Sequence, residues 1–380
     1  MSKSLLWRVL RCWLLPVLLI AGCQPEQPRI PVVLAEIPLY PPGHPVEVAS
    51  NPRTGYVYIT NEYGDYVFVL SGLERVERVA TLRTGGEEAD ALAVDEERGW
   101  VYVVNKGNDS VTVIRGTEII TTVEVAGREP FDVVVEPRKG WAYVVSGYRK
   151  LPPRGERPVV EGNLTVLSGT QAIGVVPLGN MLAKHAVIDP LSSYVYVGGG
   201  VGDVTVGISG EVVVVERMDV VARSALEAPV LAMDVDPHTG DVYILDANGN
   251  LLRARDAEIV QQVNLWEEGP SPRNMRVHPV TGDVYIVYGG SWMLVIRDMK
   301  VIGNLEVGWG ALKMAIDPLT GNVYVANFRD DTVTVVHGTE VLATIDVGWY
   351  PYGIGVNPVN GWVYVSNTND DTVTILGYQE

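Results

Sequence analysis

Short apolar runs, alternating with polar residues at a period of two, recur along almost the whole of this chain. Such alternation predicts strands, and no stretch beyond residue 30 keeps a helical period. The runs come in a fixed order. An apolar strand leads into a turn rich in Pro and Gly, and a second strand follows with the pattern Val-Tyr-Val. Eight copies are visible: VASNPRTGYVYITN (48–61), LAVDEERGWVYVVN (92–105), VVVEPRKGWAYVVS (133–146), AVIDPLSSYVYVGG (186–199), MDVDPHTGDVYILD (233–246), MRVHPVTGDVYIVY (275–288), MAIDPLTGNVYVAN (314–327) and IGVNPVNGWVYVSN (354–367). Their central tyrosines, from Tyr58 to Tyr364, follow one another at intervals of 39 to 53 residues.

Each copy continues into a third alternating run, such as DTVTVVHG, and most into a fourth, such as VLATIDVG. Four antiparallel strands per unit at this period predict propeller blades, and the fold class is all-β with eight blades. The last copy stops at its third strand, near Leu376, and the missing fourth lies at the other end of the chain, in Val32 to Pro38. The ring is therefore predicted to close by pairing the N-terminal strand in the last blade, which removes an exposed edge. Residues 31–380 form a single domain in this reading. The pattern VYV-x-N, DTVTV, ATI-x-VG-x-x-P resembles the YVTN family of β-propeller repeats over residues 31–380, best in VYVANFRDDTVTVV (323–336) and VYVSNTNDDTVTIL (363–376). That resemblance implies a secreted or surface protein and carries no particular reaction.

Residues 1–22 are of another kind. Lys3, Arg8 and Arg11 precede an apolar stretch from Cys12 to Ile20 that is short for a membrane span. The stretch ends in Ile20-Ala21-Gly22-Cys23, which resembles the lipobox of bacterial lipoproteins. The resemblance implies a signal peptide over 1–22, removed by cleavage, acylation of Cys23, and a lipidated tether over 23–30. Gln24 then implies sorting to the outer membrane in a diderm, and otherwise to the outer face of the cell membrane. Cleavage removes three bases and no acid, taking the formal charge from −17 to −20. Such an acidic chain excludes a nucleic-acid-coating role. Two Cys exclude a disulfide framework, and a monomer is expected.

Most recurring polar residues have structural readings. The Asp-Pro-x-Thr-Gly turns, with Asp236 and Asp317, and the Asn-Asp loops 105–109 and 367–371 read as turns rather than metal ligands. Trp100, Trp141, Trp362 and Trp292 read as packing. Two places point to function. On the face bearing the blade-to-blade loops and the second-to-third-strand loops, here the top face, lie Tyr40, Trp266, Trp309, Trp349, Tyr350 and Tyr352. Arg154 and Arg157 lie in an insertion between Gly147 and Asn163 of blade 3, and blade 4 carries another at Gly198 to Gly210. These suit a protein or carbohydrate partner. The second place is the central channel mouth, where alignment of the inner strands puts Glu47, Asp132, His185, Asp234, Arg276 and Lys313, with a salt bridge expected between Asp234 and Arg276. A binding module is the favoured class. A propeller enzyme or cofactor protein, lactonase-like or haem-binding with His185 or His44 over the channel, is the alternative. No GxSxG, HExxH, P-loop or CxxC motif is present, and no metal or other cofactor is assigned. The tether, Cys23 to Pro31, spans at most roughly 26–29 Å. It enters from the side opposite the top face, so the Asp-Pro turns are expected to face the membrane.

Overall fold

The computed structural model describes residues 29–72, 75–86, 88–150, 159–203, 207–265 and 271–379. They fold into eight four-stranded antiparallel sheets, each built from consecutive strands except the last. Blade 1 is typical: Pro45–Ser50 lines the axis, then Tyr56–Asn61, Tyr66–Ser71 and Glu77–Arg83 step outwards. The eighth sheet comprises Pro351–Asn357, Trp362–Asn367, Thr372–Gly377 and, outermost, Val32–Pro38. The ring is thus closed as the repeat pattern predicts, with Val32 opposite Gly377 and Pro38 opposite Thr372. The leader, Cys23, Arg154, Arg157 and Trp266 lie outside the described residues.

The period of two explains the packing. Successive side chains on a strand face opposite sides of its sheet, and here both sides are covered by a neighbouring blade. Val57 and Ile59 face blade 8, while Tyr58 between them faces blade 2. The buried apolar side chains accordingly form eight clusters, one in each gap between blades. The eight central tyrosines are the largest members, at 0–5% exposure. A buried hydroxyl needs a partner, and for four of the eight the following blade supplies it from its third-to-fourth-strand turn, whereas the Tyr102 and Tyr143 hydroxyls are buried without one. Tyr58 donates to Gly116 O at 3.0 Å, Tyr285 to Gly338 O at 3.2 Å and Tyr364 across the seam to Gly72 O at 3.5 Å, while Tyr196 accepts from Ala257 N at 3.0 Å. Blade 8 has no such turn, because its fourth strand comes from the other end of the chain. There Tyr324 of blade 7 bonds the Tyr378 hydroxyl at 2.9 Å, and Asn322 Nδ2 donates to the same oxygen at 2.9 Å.

The bottom-face turns between strands one and two obey one rule in all eight blades. Asn51, Asp95, Glu136, Asp189, Asp236, His278, Asp317 and Asn357 are buried at the end of strand one. Each accepts the backbone N–H two residues on, at 2.8–3.1 Å. The acids of the Asp-Pro turns are therefore turn acceptors, as the sequence suggests. The residue that donates is the turn tip and points to solvent: Arg53, Glu97, Arg138, Leu191, His238, Val280, Leu319 and Val359 in ring order. His278 fills the acceptor place with Nδ1, which also takes the Thr281 N–H at 3.2 Å, and its Nε2 lies 3.2 Å from Gly321 O. That pattern needs the neutral ring with its proton on Nε2.

Two outcomes follow. Removing the Tyr378 hydroxyl strands the buried Tyr324 hydroxyl and takes one of two acceptors from Asn322 Nδ2, so Tyr378→Phe is expected to destabilise the ring by about 1–3 kcal/mol in denaturant melts. Burial holds the His278 imidazole below its ordinary 6.5. The folded chain then takes up that proton later than the unfolded chain as pH falls, so the stability His278 contributes is present above about pH 6.5 and is lost as pH drops through the folded-state value. Melts of His278→Asn, which keeps an acceptor but does not titrate, are expected to lose less stability than wild type between pH 7 and 5.

Candidate functional site

Near the top of strand one the register of pairing with strand two slips in every blade. A bulge of this kind re-aims a side chain. The residues at the slips include Glu47, Asp132, His185 and Lys313, so a backbone irregularity repeated eight times presents the mouth residues to the axis. In blade 8 the equivalent residue is Gly353, where a Cβ would overlap the Val46 carbonyl oxygen. At the mouth, strand one of blade 8 therefore packs directly on strand one of blade 1, with no side chain at position 353 between them. Lys313 of blade 7 crosses that gap to form an ion pair with Glu47 of blade 1, its ammonium 4.8 Å from the centroid of the Tyr352 ring. Burial alone would lower the Lys313 pKa, but Glu47, Tyr352 and Asp90 outweigh it and hold the ammonium above its ordinary value. Burial raises the carboxyl of Asp90 in blade 2, against the pull of Lys313 and Lys106.

Asp132 and Asp234 share a different task. Asp132 accepts the N–H of Val133 in its own strand at 2.8 Å and of Ala186 in the next blade at 2.9 Å. Asp234 does the same with Val235 at 2.9 Å and Val277 at 2.8 Å. Each carboxylate pins two inner strands together. The expected Asp234–Arg276 salt bridge is not formed within 4 Å, because both carboxylate oxygens are turned to backbone donors; Arg276 Nε instead lies 3.4 Å from Met314 O in blade 7. Arg276 still draws down the Asp234 carboxyl, against a larger upward push from burial. Burial raises Asp132 to about 7, and the two N–H donors and Arg276 only partly oppose it. His185 is pushed down to about 4 by burial and by Lys184, and stays neutral. The mouth thus gathers Glu47, Lys313, Asp90 and Tyr352 into one cluster, while Asp132 and Asp234 act as inter-blade clamps. Among the described residues no group of three or more His, Cys, Asp or Glu is placed to hold a metal.

The top rim is the second feature. Tyr40, Trp309, Trp349 and Tyr350 are exposed by 73%, 52%, 59% and 42% rather than folded beneath neighbouring loops. Their loops are nevertheless fixed. Asp330 accepts the Trp309 N–H at 2.6 Å, Asp370 the Trp349 N–H at 2.6 Å and Asp331 the Tyr350 N–H at 2.9 Å, while Asp371 accepts Gly43 and His44 N–H at 2.8 and 3.0 Å across the ring seam. Asp331 and Asp371 take positive φ values, 57° and 51°, to make that reach. Beneath them Asn105, Asn327 and Asn367, fully buried, each donate through Nδ2 to two hydroxyls of strand three at 2.8–3.0 Å. Gly86, Gly308 and Gly348 lie over these amides so closely that a Cβ would collide. The Asn, the Asp pair, the alternating Thr and the Val-Gly of the repeat are one device for holding the top loops rigid.

The insertions differ from the expected loops. Most of 147–163 is a continuation of paired strands, Trp141–Lys150 with Val159–Ser168, and blade 4 is extended likewise as Tyr194–Asp203 with Gly207–Glu216. Their glycines have a steric reason: a Cβ at Gly147, Gly162 or Gly199 would overlap the crossing backbone of residues 181–183. Trp292 is another correction. It begins strand three of blade 6 at the top face and is 47% exposed, so it joins the rim rather than the core. Sequence reading missed Tyr63, 72% exposed with its ring edge-on to His44 at 4.5 Å, and Phe328, stacked on Tyr350 at 4.8 Å. It also missed Phe131, which lies between the ammonium groups of Lys106 and Lys184, each 5.2 Å from its centroid. The position of Tyr63 in a second-to-third-strand loop was a usable signal; the Phe131 arrangement is assembled from three blades and has none.

No family model matches the chain, and no curated protein matches it. Solved structures do resemble it. Saccharomyces cerevisiae Sqt1 superposes with a TM-score of 0.74 at 10% identity, over 93% of this chain and 100% of that one. The C-terminal WD40 domain of Sif2 gives 0.68 at 11% identity, over 93% and 99%. The chain shares the β-propeller fold of these proteins. Kuenenia stuttgartiensis hydrazine synthase, at 0.58 and 14% identity over 90% of this chain and 97% of that one, also has a similar architecture. At such identities the WD40-type likeness is one of fold.

A raised Asp132 pKa means that the folded chain binds this proton more tightly than the unfolded chain. Its contribution to stability is full below about pH 4 and is lost as pH rises through about 7. Against wild type, Asp132→Asn is therefore expected to gain on the order of 1 kcal/mol or more between pH 5 and 8, read as the change in the difference between their denaturation free energies.

Proposed function

We propose that this chain is a YVTN-type surface lipoprotein that binds an extracytoplasmic protein or carbohydrate partner through its top face. The observation that carries the reading is the pairing of exposed aromatic side chains with loops clamped from below. Trp309, Trp349 and Tyr350 are exposed, yet their own backbone N–H groups are bonded to Asp330, Asp370 and Asp331. Large rigid side chains on a pre-ordered backbone lose little entropy on binding, which is the physical profile of an interaction hot spot. The same aromatic faces suit sugar rings. Acylation of Cys23 would hold the propeller to the membrane from below, leaving this rim outward.

The mouth cluster supports the second reading, an enzyme or cofactor protein, less well. Glu47 and Lys313 are spent on each other, and both oxygens of Asp132 and Asp234 are taken by backbone donors. Such groups stiffen a channel wall more readily than they attack a substrate.

A photo-crosslinker on intact cells and a glycan array test the favoured reading. A crosslinker in place of Trp349 is expected to capture a discrete partner, or the wild-type chain to retain glycans that Trp309→Ala with Trp349→Ala loses about tenfold or more. Equal crosslinking from position 349 and from Arg53 on the bottom face, with no glycan retained, overturns it.

A further inference from the structure

The eight turn tips of the bottom face are not alike. Blades 1 to 3 present Arg53, Glu97 and Arg138, and blade 5 His238, while Leu191 of blade 4 is a lone aliphatic tip exposed by 50%. Three consecutive blades on the other side, 6 to 8, present Val280, Leu319 and Val359, exposed by 60%, 61% and 51%. The turn geometry does not ask for aliphatic residues there, since the tip supplies only a backbone N–H and charged tips serve equally well in blades 1 to 3. Aliphatic side chains scattered singly over a surface need no explanation, but an arc of neighbours does.

The arc coincides with the place where the chain enters the fold. The Arg29 carbonyl accepts a hydrogen bond from Asn322 Nδ2 at 3.3 Å, on the bottom edge of blade 7 beside Tyr378. Ile30, Val32 and Val33, the next apolar residues, are exposed by 53%, 38% and 44% on the same sector. Cys23 is six residues before Arg29, a reach of roughly 20 Å at full extension. An acyl group on Cys23 therefore keeps this sector of the bottom face, and no other, close to the bilayer.

We propose that the turn tips of blades 6 to 8, with Ile30 and Val32, rest in the lipid interface and seat the propeller beside its anchor. This rests on the acylation of Cys23 put forward above. The occupant is a lipid surface: the patch is divided among separate turns, which suits a deformable partner, and the tether delivers it there. The contact tilts the ring, lowering blades 6 to 8 and lifting the charged tips of blades 1 to 3 into water. Aliphatic side chains enter the headgroup boundary where charged ones stay out.

The test uses the full processed chain in vesicles of phosphatidylethanolamine and phosphatidylglycerol. The chain has two Cys, Cys12 in the leader and Cys23. An introduced thiol is thus the single free one after processing. Leu319→Cys, Val359→Cys, Arg53→Cys and Glu97→Cys, all at exposed tips, receive a polarity-sensitive fluorophore, and a lipid-borne quencher reads depth. Quenching at 319 and 359 is expected to exceed that at 53 and 97 by threefold or more, and Leu319→Asp with Val359→Asp is expected to abolish the difference read from a probe at 280. Acylated Cys23 by intact mass with equal quenching at all four tips keeps the anchor and overturns the contact. Unmodified Cys23 overturns the anchor and the contact with it. Protection of 319 and 359 without vesicles, in a chain that sediments as a dimer, overturns the lipid surface as occupant.

Discussion

No blade of this protein can bury its own apolar faces. Each sheet is four strands wide and one layer thick, so every Val-Tyr-Val strand finds its cover on the next sheet round the ring. The interaction on which the rest depends is the tyrosine between two blades, its ring in the apolar gap and, in half of the gaps, its hydroxyl on the neighbour's outer turn. That contact joins hydrophobic cover to a directional bond and so fixes distance and tilt together. With eight gaps instead of one central core, the buried apolar surface is divided among the blades.

The seam is where this arrangement is under most demand. Seven blades are each built from one continuous stretch of chain, but blade 8 joins two distant ones, its first three strands and the N-terminal strand that then runs on into blade 1. The structure strengthens that junction: the strand Val32–Pro38, the Asp371 clamp on Gly43 and His44, Ser366 donating to Val46 O, and Tyr378 standing in for a missing turn all act within it. The Glu47–Lys313 pair across Gly353 adds a further tie over blade 8 itself.

How much of this could be read from the chain depends on whether a residue's role repeats. The blades, the turn acceptors and the closing strand were legible because eight copies carry the same pattern, and His278 shows the rule by meeting it with different chemistry. Roles that occur once were not. An Asp and an Arg at equal depth in adjacent blades look like an ion pair by register, but Asp234 has two backbone N–H groups within reach, and these take both its oxygens. Trp292 stands in a strand, which suggests packing, yet it is the strand's top residue and the rim exposes it. Gly147, Gly162, Gly199 and Gly210 read as loop residues, whereas crossing backbone requires them within extended hairpins. The rim aromatics were found by position, while the clamps that make them rigid became visible only when Asp330, Asp331, Asp370 and Asp371 were seen to reach the loops above.

A ring latched head to tail has a bearing on its own birth. Val32–Pro38 leaves the ribosome some 340 residues before its partner Thr372–Gly377. Throughout synthesis and any passage across a membrane the first strand has no mate, and blade 1 lacks the neighbour that covers one of its two faces. The finished circle can form only after Thr372–Gly377 emerges, so the chain stays open, and open to helper proteins or to degradation, until that strand arrives.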